Sequence, residues 1–429
     1  MRAPANCPSI GAGGALKNAL GSIGLEALLL PFFIALPVSI AGANMGWGLM
    51  LLALLCKGRE GIPRRADLRS CVEFPLWSYL CAAALAGVFA LDPMQSLRHF
   101  NQDAHKLWMY YLLLAAGSAF PAMARRAPLA LAAGALAAAL AGISQSAGAF
   151  LRPYAWQSIQ SHMFGAVRAH AFVHPVTFGE QMAVAFLGAF CFLAAPEPEV
   201  SSGSSRRVLW AVGALFGLAL FLSNTRGALL GAAAGVAVVL LLFKDWKRMC
   251  LRALVIFTAV VLLMEVSSFF QGRSLILPVQ QDQDGVPSAQ FLRVKFWGAA
   301  LRMGLDHPLT GVGPNGFRAV FRDYYSGDID GKEASLGNAH NVFLHQFAER
   351  GFLGLGALLL LFGAFWLRAR ERVLERPDAL NLWAYAVFSS FIVMNLTETA
   401  LQVELVWMLV WTVWILAELG HRSAQRSIA

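Results

Sequence analysis

Arg226 is the residue of this chain whose type and position most directly suggest chemistry. It lies in a five-residue segment, residues 223–227, between two apolar blocks, where a charged side chain must face water or a partner. A guanidinium group there could bind a phosphate through two parallel hydrogen bonds without a metal ion. The alternative interpretation is an interfacial arginine that only extends toward water.

His340 is the candidate general base. It lies near the start of a helix that we predict to open at Gly337-Asn338, with Asn338 as the N-cap, and to run on into an apolar block. In the first turn, the positive end of the helix would keep the imidazole neutral, and a neutral histidine can accept a proton. A histidine that only caps the helix or forms a hydrogen bond remains an alternative. His345 and Glu349 lie one turn apart and form a polar stripe with Asn341, which we interpret as a solvated helix face.

Other charged residues lie near the ends of the apolar blocks. Arg168 and Arg293 are loop arginines that would suit an anionic lipid head group, although a single loop arginine is usually solvated. Glu180, Glu265 and Glu398 fall at or inside span ends and could balance those arginines; structural ion pairing is the simplest interpretation.

Several common sites have no counterpart in this sequence. The six cysteines show no metal-ligand spacing, and Asp328 and Asp330, although spaced as DxD, read as loop residues. There is no phosphate-binding P-loop, no dinucleotide-binding glycine pattern and no GxSxG motif. We therefore expect neither a metal nor a cofactor, and an activated donor would have to be linked to a lipid.

Composition indicates a polytopic, all-α membrane protein. Hydrophobic residues make up 58% of the chain and charged residues only 14%, against about 25% charged residues in soluble domains. The net charge of +9 comes from basic residues clustered in short loops, a pattern of membrane topology and not of nucleic-acid binding. We predict a single integral membrane domain over residues 1–429, without a cleaved signal at its start.

The apolar blocks predict about twelve spans. They cover residues 22–40, 41–56, 74–91, 107–121, 127–147, 176–195, 208–223, 227–243, 251–267, 352–367, 379–397 and 401–419. No internal repeat is visible, which disfavours a transporter built from duplicated halves.

The basic residues also predict the orientation. Most of the 34 Lys and Arg residues lie on the side that contains both termini, so both termini are expected to be cytoplasmic. Residues 267–351 then form a large loop on the opposite side, periplasmic in a Gram-negative cell, between spans 9 and 10. Within it, residues 290–304 and 317–325 read as helices, separated by a turn-rich connector that starts at His307-Pro308.

Several motifs, in this order and topology, resemble the O-antigen ligase (WaaL) family and its relatives, the O-antigen polymerases and protein O-oligosaccharyltransferases. The resemblance spans roughly Arg168 to Glu398. The motifs that carry it are Ser223-Asn-Thr-Arg226-Gly, Arg293-Val-Lys-Phe-Trp297, Pro308-Leu-Thr-Gly-Val-Gly-Pro-Asn-Gly-Phe317, Ala339-His340-Asn341 and the run from Gln346 to Gly351.

The resemblance implies a GT-C-like glycosyltransferase of the bacterial inner membrane, with its active site facing the periplasm. Such an enzyme transfers a glycan from undecaprenyl pyrophosphate to a sugar hydroxyl of lipid A–core, without a metal and with inversion. It implies that His340 is essential and that Arg226, Arg293 and Arg168 bind the donor pyrophosphate. Asn341, His345, Lys295 and Glu398 are the expected supporting residues. A polymerase, a protein O-oligosaccharyltransferase and, outside this class, a lipid-linked glycan transporter remain alternatives.

Overall fold

The computed structural model describes residues 24–58, 68–150, 168–196, 203–242, 289–325 and 337–428. Within these residues the chain is helical and contains no strand. The predicted span at 251–267, the Asp328/Asp330 pair and part of the predicted loop at 267–351 lie outside the described residues.

Thirteen α-helices make up the described part of the chain. They are α1 (Leu30–Ala35), α2 (Ile40–Cys56), α3 (Glu73–Val88), α4 (Pro93–Ala119), α5 (Met123–Phe150), α6 (Pro175–Ala194), α7 (Gly203–Leu222), α8 (Arg226–Leu240), α9 (Ala289–Asp306), α10 (Phe317–Tyr324), α11 (Val342–Glu375), α12 (Ala379–Thr397) and α13 (Glu404–Ile428). Short 3-10 helices precede α1 and separate α12 from α13.

Six of the described helices, α5, α6, α7, α11, α12 and α13, are long and apolar enough to cross a membrane. Four shorter apolar segments, Leu25–Ala35, Ile40–Cys56, Glu73–Val88 and Arg226–Leu240, accompany them. The all-helical prediction is confirmed, whereas the number of twelve spans stays a prediction. The span predicted at 107–121 belongs to the longer helix α4, because the polar residues before it continue the same helix.

Helices α8 and α12 pack backbone against backbone along a line of glycines, one per turn of α8. A Cβ atom at Gly231 would lie 2.8 Å from both the Met394 Cγ and Ser390 Oγ atoms, and one at Gly235 would lie 2.8 Å from the Ala386 carbonyl oxygen. Only hydrogen atoms fit in this space, so the two helices approach as closely as small-residue seams in membranes allow. The seam fixes the start of α8 against the end of α12.

Aromatic side chains fill the interior where α11, α12 and α13 meet. The Phe365 ring stacks on Trp411 with centroids 4.9 Å apart and on Phe388 with centroids 5.1 Å apart. Trp414 contacts the same ring at 4.5 Å. These large buried rings hold the three helices in one register.

A second, smaller apolar cluster joins the polar segment to the bundle. The buried side chains of α9 and α10, including Phe296, Phe317 and Phe321, pack together with Ala339, which precedes α11, and with Ala348 in the first turns of α11. The two predicted helices of this segment are confirmed, as α9 and α10, and α9 ends directly before His307-Pro308. The cluster positions α9 beside the beginning of α11.

Helix α11 is interrupted at Gly351, where the backbone adopts φ 60° and ψ −157°. The connector between α9 and α10, residues 308–316, here called the docking loop, pairs with the interrupted turn. N–H groups of Val312 and Gly313 donate to the carbonyls of Ala348 and Glu349 at 3.0 and 2.9 Å. On the other side of the break, the N–H groups of residues 352 and 353 donate to the carbonyls of residues 308 and 309. The glycine-rich motif is therefore used to dock this loop onto α11.

Candidate functional site

Glu398, the residue that follows α12, is the centre of the site. Its side chain is only 13% exposed. One carboxylate oxygen, Oε2, lies 3.1 Å from Nδ1 of His340, and the other, Oε1, forms an ion pair with Nη2 of Arg293. One carboxylate therefore holds the candidate base and one candidate phosphate ligand together.

The charge of Glu398 determines which nitrogen of His340 can accept a proton. Burial raises the pKa of Glu398, but the hydrogen bond from His340 and the charge of Arg293 more than offset it, and the pKa falls below its usual range. An ionised carboxylate can only accept hydrogen bonds, so Nδ1 of His340 must be the donor. In the neutral ring, Nε2 is then the acceptor, and no hydrogen bond among the described residues uses it.

His340 does not lie in the first turn of a helix, so that prediction was wrong. Asn341, and not Asn338, is the N-cap of α11, and its Oδ1 accepts from the N–H groups of Phe343 and Leu344. Asn338 instead accepts the N–H of His340 at 2.8 Å, and His340 adopts φ 49° before the cap. Because His340 lies outside the helix, its ring is oriented by Glu398 and not by the first turn of α11.

The His340 ring is also held by packing from α9. Phe296 stacks on it with centroids 6.0 Å apart and an interplanar angle of 20°. Phe296 and Arg293 lie three residues apart and thus on one face of α9. Asn341, one of the expected supporting residues, donates from Nδ2 to the Leu396 carbonyl at 3.0 Å. Packing and hydrogen bonds together fix the imidazole against the end of α12.

Arg226 is the first residue of α8 and lies beside the same end of α12. It is half-buried. A Cβ atom on the next residue, Gly227, would overlap Oγ1 of Thr397 and lie 3.8 Å from Cγ of Glu398. The backbone that carries Arg226 is therefore packed against Glu398, which in turn binds His340.

Arg168 braces the turn that precedes Arg226. Its Nε donates to the Ser223 carbonyl at 2.7 Å, and its Nη2 donates to Thr225 Oγ1 at 3.2 Å. His174, at the N-cap of α6, lies nearby; burial and the charge of Arg168 lower its pKa. Arg168 thus belongs to the same corner of the structure, with at least part of its guanidinium engaged in holding the backbone.

Two expected supporting residues are placed differently. His345 and Glu349 are not on a solvated face, and that interpretation was wrong: both are buried, with Nε2 of His345 3.3 Å from the Glu349 carboxylate. Glu349 also accepts the N–H of Phe317 at 3.2 Å, so this pair holds the docking loop. Lys295 follows Arg293 by two residues, about 200° round α9, and the helix does not present it beside Arg293.

The sequence interpretation missed a buried ionic cluster at Arg350, the residue directly before the Gly351 break. Nη2 of Arg350 lies 2.6 Å from Asp103 of α4, and both side chains are at most 6% exposed. Tyr79 and Lys106 complete the hydrogen bonds of Asp103 at 3.3 and 3.2 Å. The rarity of charges inside apolar segments was the available signal, because such residues need partners.

Comparison with known families supplies an identification for the central part of the chain. Residues 211–359 match the model of the family described as O-antigen ligase. The match covers about a third of the chain and supports its membership of the O-antigen ligase family. The matched region contains Arg226, Arg293 and His340, whereas Arg168 precedes it and Glu398 follows it. A comparison with curated proteins finds no match.

Proposed function

We propose that the chain is an O-antigen ligase that transfers a glycan from undecaprenyl pyrophosphate to a sugar hydroxyl of lipid A–core. The observation that carries this proposal is the Glu398 carboxylate, which binds Nδ1 of His340 and Nη2 of Arg293 at once. This arrangement sets a proton acceptor and a cation side by side, as transfer from a phosphate leaving group requires. The match of residues 211–359 to the O-antigen ligase family model supports the reaction class.

In the proposed step, Nε2 of His340 accepts the proton of the acceptor hydroxyl. The hydroxyl oxygen attacks the anomeric carbon, a new glycosidic C–O bond forms, and the C–O bond to the pyrophosphate breaks. The electron pair of that bond leaves with undecaprenyl pyrophosphate. A single displacement of this kind inverts the anomeric centre. Glu398 keeps Nδ1 protonated and stabilises the imidazolium that forms, as a buried carboxylate does beside other catalytic histidines.

Arg226 and Arg293 would stabilise the charge that develops on the departing pyrophosphate, with Arg168 as a third ligand at the same corner. The Arg293 side chain is 34% exposed, and its guanidinium carries five N–H donors, so binding Glu398 through Nη2 leaves further donors for a phosphate. Fixed cations aimed at a developing anion need no reorganisation during the reaction. No step of this scheme uses a metal or a cofactor, and that remains a prediction.

Substitution of His340 tests the base. His340→Ala should lower the transfer rate by at least about 100-fold, the usual contribution of a positioned general base. His421→Ala is the matched control, because His421 pairs with Glu375 on the distant part of α11 and should leave transfer unchanged. A folded His340→Ala protein that transfers glycan at the wild-type rate would end the assignment.

The acceptor decides between the ligase and its relatives. Purified protein is incubated with an undecaprenyl-pyrophosphate glycan and either lipid A–core, free glycan or a Ser/Thr peptide. Product with lipid A–core alone supports the proposal. Lengthened glycan would identify a polymerase, a glycosylated peptide would identify a protein O-oligosaccharyltransferase, and no product with any acceptor would favour a transporter.

We also propose that the site faces the periplasm from a bacterial inner membrane, with both termini cytoplasmic. The distribution of Lys and Arg supports this orientation. Residues 267–351 would then be a periplasmic loop of one integral membrane domain. A C-terminal green fluorescent protein fusion should fluoresce, whereas an active C-terminal alkaline phosphatase fusion would reverse the orientation.

A further inference from the structure

A cavity of about 1380 Å³ lies between α5, α6, α7, α12 and α13, away from the site described above. Gln181, Val184, Gly188 and Phe192 line it from successive turns of α6. At 1.5 Å per residue the cavity follows α6 for roughly 16 Å. That length equals about half of the ~30 Å hydrocarbon thickness of a bilayer, the depth of one leaflet.

One end of the cavity is basic, and this end lies at the end of the bundle opposite Glu398. Arg376 precedes α12, the helix whose other end is followed by Glu398. Arg422 is near the end of α13, and Arg125 is in the first turn of α5. These three arginines line the cavity, and no acidic residue does so among the described residues.

Two of these arginines have N–H donors that form no hydrogen bond with other described residues. The side chain of Arg125 is exposed and forms no hydrogen bond or ion pair within the described part of the chain. Arg376 is 52% exposed and pairs with Asp378 through Nε at 3.2 Å, which leaves its two terminal nitrogens available. Arg422 is bound by Glu418 at 2.7 Å and therefore contributes mainly charge.

The walls of the cavity are apolar. Leu129 of α5, Phe192 of α6 and Phe216 of α7 line them, and Trp383 of α12 closes one side. Helix α7 exposes large apolar side chains along its outer face, including Trp210 at 62%. Apolar walls one leaflet deep below an arginine cluster match the two ends of a phospholipid, the acyl chains and the phosphate.

We propose that this cavity binds one anionic phospholipid from the leaflet opposite the candidate active site. Arg125 and Arg376 bind the head-group phosphate, and the acyl chains occupy the space beside α6 and α7. The glycan donor is a different ligand, because its pyrophosphate must reach the end of the bundle near Glu398. The proposal therefore stands or falls independently of the transfer reaction.

Native mass spectrometry of the delipidated full chain, titrated with phosphatidylglycerol, tests the proposal. The wild type should bind one tightly held molecule, in preference to phosphatidylcholine. Arg125→Gln/Arg376→Gln should bind phosphatidylglycerol roughly thirty-fold more weakly, the effect expected for two lost arginine–head-group attractions. Arg207→Gln/Arg370→Gln is the matched control: it removes two exposed arginines near the same end that do not line the cavity, and should bind as the wild type does.

A second variant tests the acyl-chain part of the cavity. Ala132 lines the cavity and is half-buried, so Ala132→Phe should fill space without removing charge, and should also weaken binding. Equal weakening in both arginine pairs would show only general attraction to the basic surface and would overturn the proposal. Wild-type protein that holds no phosphatidylglycerol, or an Ala132→Phe protein that binds as the wild type does, would overturn it as well.

Discussion

Replacement of Gly351 by alanine should be among the most damaging single-methyl changes in this protein. Gly351 interrupts α11 with φ 60° and ψ −157°, a region of backbone conformation that is essentially restricted to glycine. A Cβ atom there would also lie within 2.5 Å of the carbonyl oxygens of Pro308 and Leu309. The alanine variant can only be accommodated if the docking loop moves away from α11.

The loss in the free energy of unfolding follows from the backbone strain and from the hydrogen bonds that are broken. Holding a non-glycine residue in this conformation costs about 1–3 kcal/mol. Moving the loop breaks the four backbone hydrogen bonds on the two sides of Gly351, each worth about 1 kcal/mol. The expected loss is therefore roughly 5–7 kcal/mol if the loop separates completely. Transfer activity should fall with it, because the loop connects α9, which carries Arg293, to α10.

The assay is the apparent melting temperature of the full chain in detergent, followed by fluorescence-detected size exclusion. The apparent temperature is a kinetic quantity for a protein of this kind, so variants are compared at one heating rate. Gly356→Ala is the matched control. It lies in the regular part of the same helix, and a Cβ atom there meets no heavy atom within 4 Å. It should leave stability unchanged or raise it by up to about 1 kcal/mol.

Equal melting temperatures for Gly351→Ala and Gly356→Ala would refute the reasoning. Such a result would mean that α11 can run straight through residue 351 and that the docking loop contributes little. Loss of activity at an unchanged melting temperature would contradict it differently, since the glycine-rich motif would then act on the substrate and not on the fold.

Three further predictions concern the charged groups. Glu398→Gln keeps the shape of the side chain but removes the charge that binds His340 and Arg293, and should slow transfer at least about tenfold in the lipid A–core assay. Because the pKa of Glu398 is lowered, its pairing stabilises the fold fully at pH values above the usual carboxylate pKa, and this stabilisation is lost as the pH falls through the lowered pKa. The difference in melting temperature between wild type and Glu398→Gln should therefore shrink in acid. Arg350→Leu leaves Asp103 buried without its closest cation and should cost about 3–5 kcal/mol, whereas Asp103→Leu/Arg350→Leu should recover much of that loss in the same melting assay.

The fold could be predicted from sequence to the extent that it depends on local pattern. Apolar blocks predicted the membrane helices. The helices at residues 290–304 and 317–325 were predicted because their periodicity and the turn residues between them are local signals. The break at Gly351 was not found. The surrounding residues continue a helical pattern without interruption. Only the docking loop explains the unusual backbone, and this loop lies more than thirty residues before Gly351 in the sequence.

The candidate site was predictable in its residue types but not in its pairings. Arg226, Arg293 and His340 stood out because polar residues are rare in such a chain, and the structure brings them to one corner. Glu398 was expected only as a supporting residue, since nothing local in a sequence shows which distant cation a carboxylate will bind. His345 was misjudged for the same reason: its burial depends on the docking loop and not on its own helix.

The position of His340 changes how its chemistry should be understood. In the first turn of a helix, its neutrality would come from the helix dipole, and each neighbouring arginine would act separately. Before the N-cap, hydrogen-bonded to Glu398, it shares one carboxylate with Arg293. A phosphate that draws Arg293 toward itself would weaken the ion pair between Arg293 and Glu398. The negative charge of the carboxylate would then act more strongly on the imidazole. In the proposed reaction, donor binding by Arg293 and proton transfer to His340 would therefore be coupled through Glu398, and neutralising that one residue should affect both.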